Sequence, residues 1–167
     1  MPGKNNQNTK RQDVLSWEEW LMQLAYLISK RSKDPNTQTG ACIVDEHNVI
    51  IGLGYNGFPR GCSDDKFPWG RDGEFAEKKY AYVVHAEANA IYNSSRLPKG
   101  CKIYTTMFPC NECTKALIQH GIKEVIYDMD PYHDDQSWVA SRKMLVAAGV
   151  KCRQYKPNYK LYLRKHG

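Results

Sequence analysis

KIYTTMFPCNECTKALIQHGIKEVIY, residues 102–127, reads as a strand, a helix and a second strand. Residues 102–106 are β-branched and aromatic at their centre, as strands prefer. Cys110 opens a helical pattern that runs through Gln119, and Gly121 follows where a left-handed C-terminal cap is expected. Residues 124–127 form the next strand. Beyond them, residues 137–148 carry a helical pattern and residues 150–155 a strand. Strands joined through helices pair in parallel, because a tight hairpin cannot connect them.

Working upstream, Ser16-Trp17-Glu18-Glu19 has the form of a capping box, with Ser16 at N-cap and Glu19 at N3. Trp17, Trp20, Leu21, Leu24, Leu27 and Ile28 then recur at helical spacing, which predicts a helix to about Lys33. Asp34-Pro35-Asn36 breaks it. Residues 41–44 and 49–51 are short apolar runs joined as a hairpin. Gly52, Gly54 and Gly57 punctuate the exit from the second run. A helix starts near His85 and carries Ala86, Ala88, Ala90 and Ile91. The expected class is α/β, three layers, with a mixed five-stranded sheet covered by helices on both faces. Residues 57–80 form a long charged connection, a length that usually signals function. Within it Lys78 and Lys79 read as exposed loop charges, and the segment 66–82 has no evident role.

The 167 residues suit one domain. No apolar run approaches the length of a membrane span, and residues 1–12 hold no apolar signal core, so a cytoplasmic protein is expected. The net charge is +6. Nine of the 24 basic residues lie in 1–12 and 151–167, which contain no acidic residue; the stretch 13–150 has 15 basic against 18 acidic side chains. A net-acidic body argues against a nucleic-acid track, and no membrane contact is expected. Of the six cysteines, Cys42, Cys101 and Cys152 sit in or beside strand-like runs and read as small core residues.

The chemistry concentrates in His85-Ala86-Glu87 and Pro109-Cys110-Asn111-Glu112-Cys113. A catalytic zinc takes three protein ligands and keeps a fourth position for water; His85, Cys110 and Cys113 supply three. Cysteine binds as thiolate, and the first turn of a helix favours that charge. Glu87, two residues from His85, is expected to stay off the metal and move protons. A zinc ribbon needs two Cys-x-x-Cys knuckles, and this chain has one. A thiol–disulfide oxidoreductase would leave His85 and Glu87 unexplained. His-x-Glu with Pro-Cys-x-x-Cys is the signature of zinc-dependent nucleobase deaminases.

The chain resembles the cytidine/deoxycytidylate deaminase superfamily, in its deoxycytidylate branch. The resemblance rests on Asp34-Pro-Asn36 with Gly40-Ala41, Gly54-Tyr-Asn-Gly57, Gly61-Cys-Ser-Asp-Asp65, His85-Ala-Glu-Ala-Asn-Ala-Ile91, Phe108-Pro-Cys-Asn-Glu-Cys113, Gly121-Ile-Lys-Glu-Val125 and Tyr132-His-Asp134. It covers about residues 15–155. It implies a cytidine-deaminase-like fold and hydrolysis of dCMP to dUMP and ammonia, supplying thymidylate synthesis. It also implies activation by dCTP and inhibition by dTTP in a homohexamer, with Mg2+ accompanying the nucleotide effector. Catalytic Glu87 and the zinc ligands His85, Cys110 and Cys113 carry over. So do substrate contacts at Asn56, Ala86 and Tyr132, and effector contacts at Tyr55, Gly57, Gly61 and Asp64. Asn56 before Gly57 also reads as a plain turn pair, and Phe108 as a packing residue. The implied boundaries are a disordered basic tail at 1–13, the deaminase domain at 14–156, and a basic tail or edge strand at 157–167.

Overall fold

The computed structural model describes residues 9–165. In chain order its elements are α1 (Trp17–Ser29), β1 (Gly40–Val44), β2 (Ile50–Tyr55), two 3₁₀ turns (Phe75–Glu77 and Lys79–Ala81), α2 (Ala86–Tyr92), β3 (Lys102–Met107), α3 (Asn111–Gln119), β4 (Glu124–Met129), α4 (Gln136–Ala147) and β5 (Lys151–Gln154). The strands form one sheet in the order β2-β1-β3-β4-β5. β1 is antiparallel to both neighbours, and β3, β4 and β5 are parallel. The mixed five-stranded sheet expected from the sequence is therefore present.

The two-residue period of the strands sorts the core into two layers. Cys42, Val44, Tyr104 and Ile126 face Leu21 and Met22 of α1. Ala41, Ile43, Ile103 and Val125 face the other way, onto Ala86, Ala90 and Ile91 of α2, Leu117 of α3 and Leu145 of α4. Each fully buried Ile or Leu contributes ~1.5–3 kcal/mol through removal of apolar area from water. Gly121 has φ +74°. Ile122 N–H donates to Leu117 O and Gly121 N–H to Ile118 O, so a Schellman turn ends α3.

Two boundaries differ from expectation. α1 stops at Ser29 because the next three amides bond back three residues, from Lys30 to Leu27, Arg31 to Ile28 and Ser32 to Ser29. β2 continues through Gly52 and Gly54, which were expected to mark its exit. A Cβ at Gly54 would lie 2.1 Å from Ala86 O, and one at Gly52 would lie 2.3 Å from Ala90 O. These glycines belong to the strand because the backbone of α2 lies directly on it.

Cys152 departs from its expected core position. It is exposed, on the edge strand β5, whose residues are mostly open to solvent. Beyond β5 the chain adds no sixth strand among the described residues; it runs back across α1. Glu19 holds it there. Only half of the predicted capping box forms: Glu19 N–H donates to Ser16 Oγ at 3.1 Å, but the Glu19 carboxylate turns away from Ser16. It accepts instead from Tyr155 OH (3.0 Å), Asn158 N (2.8 Å), Tyr159 N (3.2 Å) and Gln23 Nε2 (2.9 Å). Burial pushes the Glu19 pKa up, and these donors together outweigh it and hold the group below its usual value.

Glu19→Ala is expected to destabilise the chain by roughly 2–3 kcal/mol, since it removes a buried charged acceptor shared by several donors. Amide hydrogen exchange should rise first at residues 155–161. Unchanged protection there would show that the segment is held by its apolar contacts instead.

Candidate active site

Both halves of the predicted metal motif sit at helix starts. His85 is the N-cap of α2 and Cys110 the N-cap of α3. The close packing of Gly52 and Gly54 fixes where α2 begins. α3 is fixed through its own first turn: Ser137 Oγ donates to Asn111 Oδ1 at 2.5 Å, and Thr114 Oγ1 meets Ser141 Oγ at 2.5 Å in the buried contact with α4. Cys113 lies one turn into α3, on the same side as Cys110.

His85 Nδ1 is 3.4 Å from Cys110 Sγ and 3.4 Å from Cys113 Sγ. The three donor atoms all lie within 4.8 Å of one another. A tetrahedral zinc with ordinary Zn–S and Zn–N bonds separates its nitrogen and sulfur ligands by about 3.6 Å. The donor set, one imidazole and two thiols, matches zinc in type as well as spacing. These residues therefore fit the ion.

The ionisations show how the donors balance charge among themselves. Cys110 is lowered to about 4, first by the hydrogen bond from Cys113 and then by His85. Cys113 is raised by the same bond and by burial. His85 is raised to about 9, chiefly by its hydrogen bond with Cys110. A divalent cation that binds two thiolates and a neutral ring would displace the protons held by the Cys113 thiol and the His85 imidazolium. Glu87 is buried, with Oε2 3.5 Å from Cys113 Sγ. Burial raises its pKa and favours the protonated carboxyl.

His85, Glu87 and Cys110 line a cavity of ≈ 340 Å³, a size suited to one small ligand. Met107, Phe108, Tyr132 and Trp138 line one part of it, and Asp34, Thr37, Asn56, Arg71, Lys79 and Tyr80 another. Tyr132 stacks on Trp138 with ring centroids 4.7 Å apart. Its turn is braced by Asp130, which pairs with both Arg142 and His133. Phe108 is buried in the core, edge-on to Tyr127 and covered by the Arg142 guanidinium.

Asn56 lines the cavity, but its amide is already engaged. Thr39 N–H donates to Asn56 Oδ1 at 2.8 Å, and Asn56 Nδ2 donates to Thr37 O at 2.9 Å. Ala86 is fully buried in the core and is not among the cavity walls. Tyr55 and Gly57 line a second cavity with Phe58, Arg60, Tyr92 and Asn93. Gly61 and Asp64 lie outside that cavity, and Asp64 pairs with Lys33.

The long connection is ordered. Gly57 and Val84 pair in both directions and close its base. Phe58, Phe67, Trp69 and Tyr82 pack together inside it. Lys79, expected to be an exposed loop charge, is instead buried and paired with Asp34 at 2.5 Å. The two are 45 positions apart, and no local pattern announces the pair. Thr37, Arg71, Tyr80 and Trp138 were likewise not singled out as site residues; Trp138 alone carried a signal, an aromatic one turn into a helix after Tyr132.

Fold and donor set together define a metal-dependent hydrolase of the nucleobase-deaminase kind. Residues 15–129 match the family model for the cytidine and deoxycytidylate deaminase zinc-binding region. Deoxycytidylate deaminase of Mus musculus is 52% identical over 152 residues, covering 90% of this chain and 85% of its own. The Homo sapiens deoxycytidylate deaminase is 53% identical over 150 residues, covering 89% and 84%. The dCMP deaminase of cyanophage S-TIM5, solved in complex with dCMP and dUMP, superposes with a TM-score of 0.67 at 27% identity, covering 83% of this chain and 96% of its own. This chain belongs to the cytidine and deoxycytidylate deaminase family.

Asp34 offers a test of the wall that faces the metal motif. Burial raises its pKa, and Lys79 with the amides of Asn36 and Thr37 outweighs this and lowers it. The folded value lies below the unfolded one, so the stabilisation is complete above about pH 5 and is lost as pH falls through the folded value. Asp34→Asn should cost ~3–5 kcal/mol at pH 7, because it leaves the Lys79 ammonium buried without its partner. It should also flatten the acid limb of stability against pH. Urea unfolding from pH 7 down to pH 3 measures both; wild-type stability in the variant would mean the pair contributes nothing.

Proposed function

We propose that this protein hydrolyses dCMP to dUMP and ammonia. The observation that carries the reading is the Glu87 carboxylate, buried beside three zinc-type donors and lining a cavity of ≈ 340 Å³. The choice of dCMP is supported by the named activity of relatives that share half the residues across nine tenths of the chain.

His85, Cys110 and Cys113 are the zinc ligands in this reading. Zinc there supplies a water acidified toward a pKa of ~7. Glu87 takes a proton from the attacking water as oxygen bonds to C4 of the cytosine, and passes it to ring N3. It then takes the remaining hydroxyl proton and gives it to the 4-amino group, which leaves as ammonia when the C4–N4 bond breaks. Water is consumed, and dUMP and ammonia balance it. The stacked pair Tyr132 and Trp138 suits the flat face of the base. In this reading Asn56 meets the nucleoside with its remaining lone pair, while Ala86 lies off the cavity walls.

dCTP as activator, dTTP as inhibitor, Mg2+ with the effector and a homohexamer complete the proposal, as does a place in the cytoplasm feeding thymidylate synthesis. The second cavity, with Tyr55 and Gly57, is the place supported for the effectors; glycine lets backbone approach a phosphate closely. No helix among the described residues is long and apolar enough to cross a membrane.

The test compares dCMP, deoxycytidine, CMP and an oligonucleotide as substrates of zinc-loaded protein, each with and without dCTP and Mg2+. Preference for dCMP with a dCTP-dependent rise is expected; turnover of the oligonucleotide alone would overturn the substrate. Glu87→Gln should keep one zinc per chain while kcat drops by about 10²–10⁴-fold. Loss of zinc in that variant would make the carboxylate a ligand.

A further inference from the structure

Six carboxylate or basic nitrogen side chains line the main cavity: Asp34, Arg71, Lys79, His85, Glu87 and Asp135. Five have work already. Lys79 and Asp34 neutralise one another, with side chains 5% and 1% exposed. Asp135 caps α4, accepting from Ser137 N–H at 2.9 Å. His85 and Glu87 belong to the metal end. Arg71 makes no ion pair among the described residues. Its Nη2 donates to the neutral Thr37 Oγ1 at 3.0 Å.

This guanidinium is held in place. Lys79 N–H donates to Gly70 O at 2.9 Å, directly before Arg71 in the chain, and the Lys79 side chain is fixed by Asp34. Trp69, on the other side of Gly70, donates its Nε1–H to Asp64 O at 2.9 Å and packs on Phe58. The chain just before Arg71 is therefore anchored to the loop interior while its fork is left at the cavity wall. A guanidinium carries five N–H donors, more than Thr37 can use, in a planar fork that matches a phosphate in bidentate fashion.

We infer that Arg71, with Thr37 beside it, grips the 5′-phosphate of the nucleotide and makes this enzyme select a nucleoside monophosphate over the free nucleoside. The inference rests on the proposed deamination, which puts the reacting C4 at the His85 and Glu87 end. A nucleotide carries its phosphate at the end opposite C4, so with the base at His85 and Glu87 the phosphate falls elsewhere in the same cavity, which Arg71 also lines. Lys79 cannot take this role without abandoning Asp34 inside the fold. Tyr132, a substrate contact implied by the family resemblance, is neutral and is stacked on Trp138.

The experiment uses full-length zinc-loaded protein with Arg71→Gln and Arg71→Lys. It measures kcat/KM for dCMP and for deoxycytidine, together with equilibrium binding of dUMP and of deoxyuridine by calorimetry. Zinc content and thermal midpoint should match the wild type, because Arg71 is exposed. Arg71→Gln should lower kcat/KM for dCMP roughly 100-fold, mainly through KM, as expected for losing a charged hydrogen-bonding pair. Deoxycytidine turnover should be unchanged, and Arg71→Lys should recover part of the loss. dUMP binding should weaken by the same factor and deoxyuridine binding should not. Equal losses on nucleotide and nucleoside would overturn the inference, as would undiminished kcat/KM and binding for the nucleotides. Wild-type protein that binds dUMP but does not deaminate dCMP would sink the proposed reaction alone; the dUMP arm would still judge Arg71.

Discussion

The contact between α2 and β2 sets the geometry on which the site depends. A helix normally stands off a sheet by the thickness of side chains from both. Here Gly52 and Gly54 remove one layer, and the carbonyls of Ala86 and Ala90 occupy the space that Cβ atoms would fill. The helix is short, Ala86–Tyr92, with small alanines at 86 and 90 against the sheet. Such a helix owes its order to packing, since seven residues are too few to be stable alone. Its N-cap, His85, and its second residue, Glu87, inherit that placement. Any residue larger than glycine at 54 would push the helix outward and move both functional side chains from the α3 cysteines.

The second determinant is a set of buried charges with defined partners. Isolated burial of Asp34 or Lys79 would be prohibitive; together they tie the long connection to the loop before β1. Asn56 joins the same network, its carbonyl on Thr39 and its amide nitrogen on Thr37. Glu19 does equivalent work on the opposite face, gathering amides and a phenol from the C-terminal segment. In each case one carboxylate fixes a stretch of chain with no regular secondary structure. Polar groups whose partners are all supplied specify one arrangement, because any displacement strands a donor or a charge.

How far these features could be read in advance follows the range of the forces behind them. The strand-like residues at 102–106 and the helical pattern at 110–119 are local, and they made the parallel pairing of the second half legible. The three metal donors were legible because ligand spacing on a helix start is local too. Gly52 and Gly54 were misplaced as turn residues: their partner is the backbone of a helix more than thirty positions later. The Asp34–Lys79 pair, the Thr37–Arg71 contact and the Glu19 anchor join residues 34 to 140 positions apart. Such pairs leave no periodic trace, so Lys79 looked like an exposed charge and Glu19 like an ordinary capping residue. Cys152 looked buried because strand character alone does not reveal which strand lies at the edge.

The same distinction governs how a net-acidic body can receive an anionic nucleotide. Net charge acts through solvent, where screening confines it to about 8 Å at physiological salt. Inside the cavity, pairing decides what a ligand encounters. Asp34 is cancelled by Lys79 at 2.5 Å, and Asp135 faces its own helix amides. Arg71 faces only a hydroxyl. The cavity wall at Arg71 is thus locally cationic while residues 13–150 as a whole are not. One guanidinium with a neutral neighbour outweighs a surplus of solvated carboxylates elsewhere, because a phosphate responds to the nearest unpaired charge.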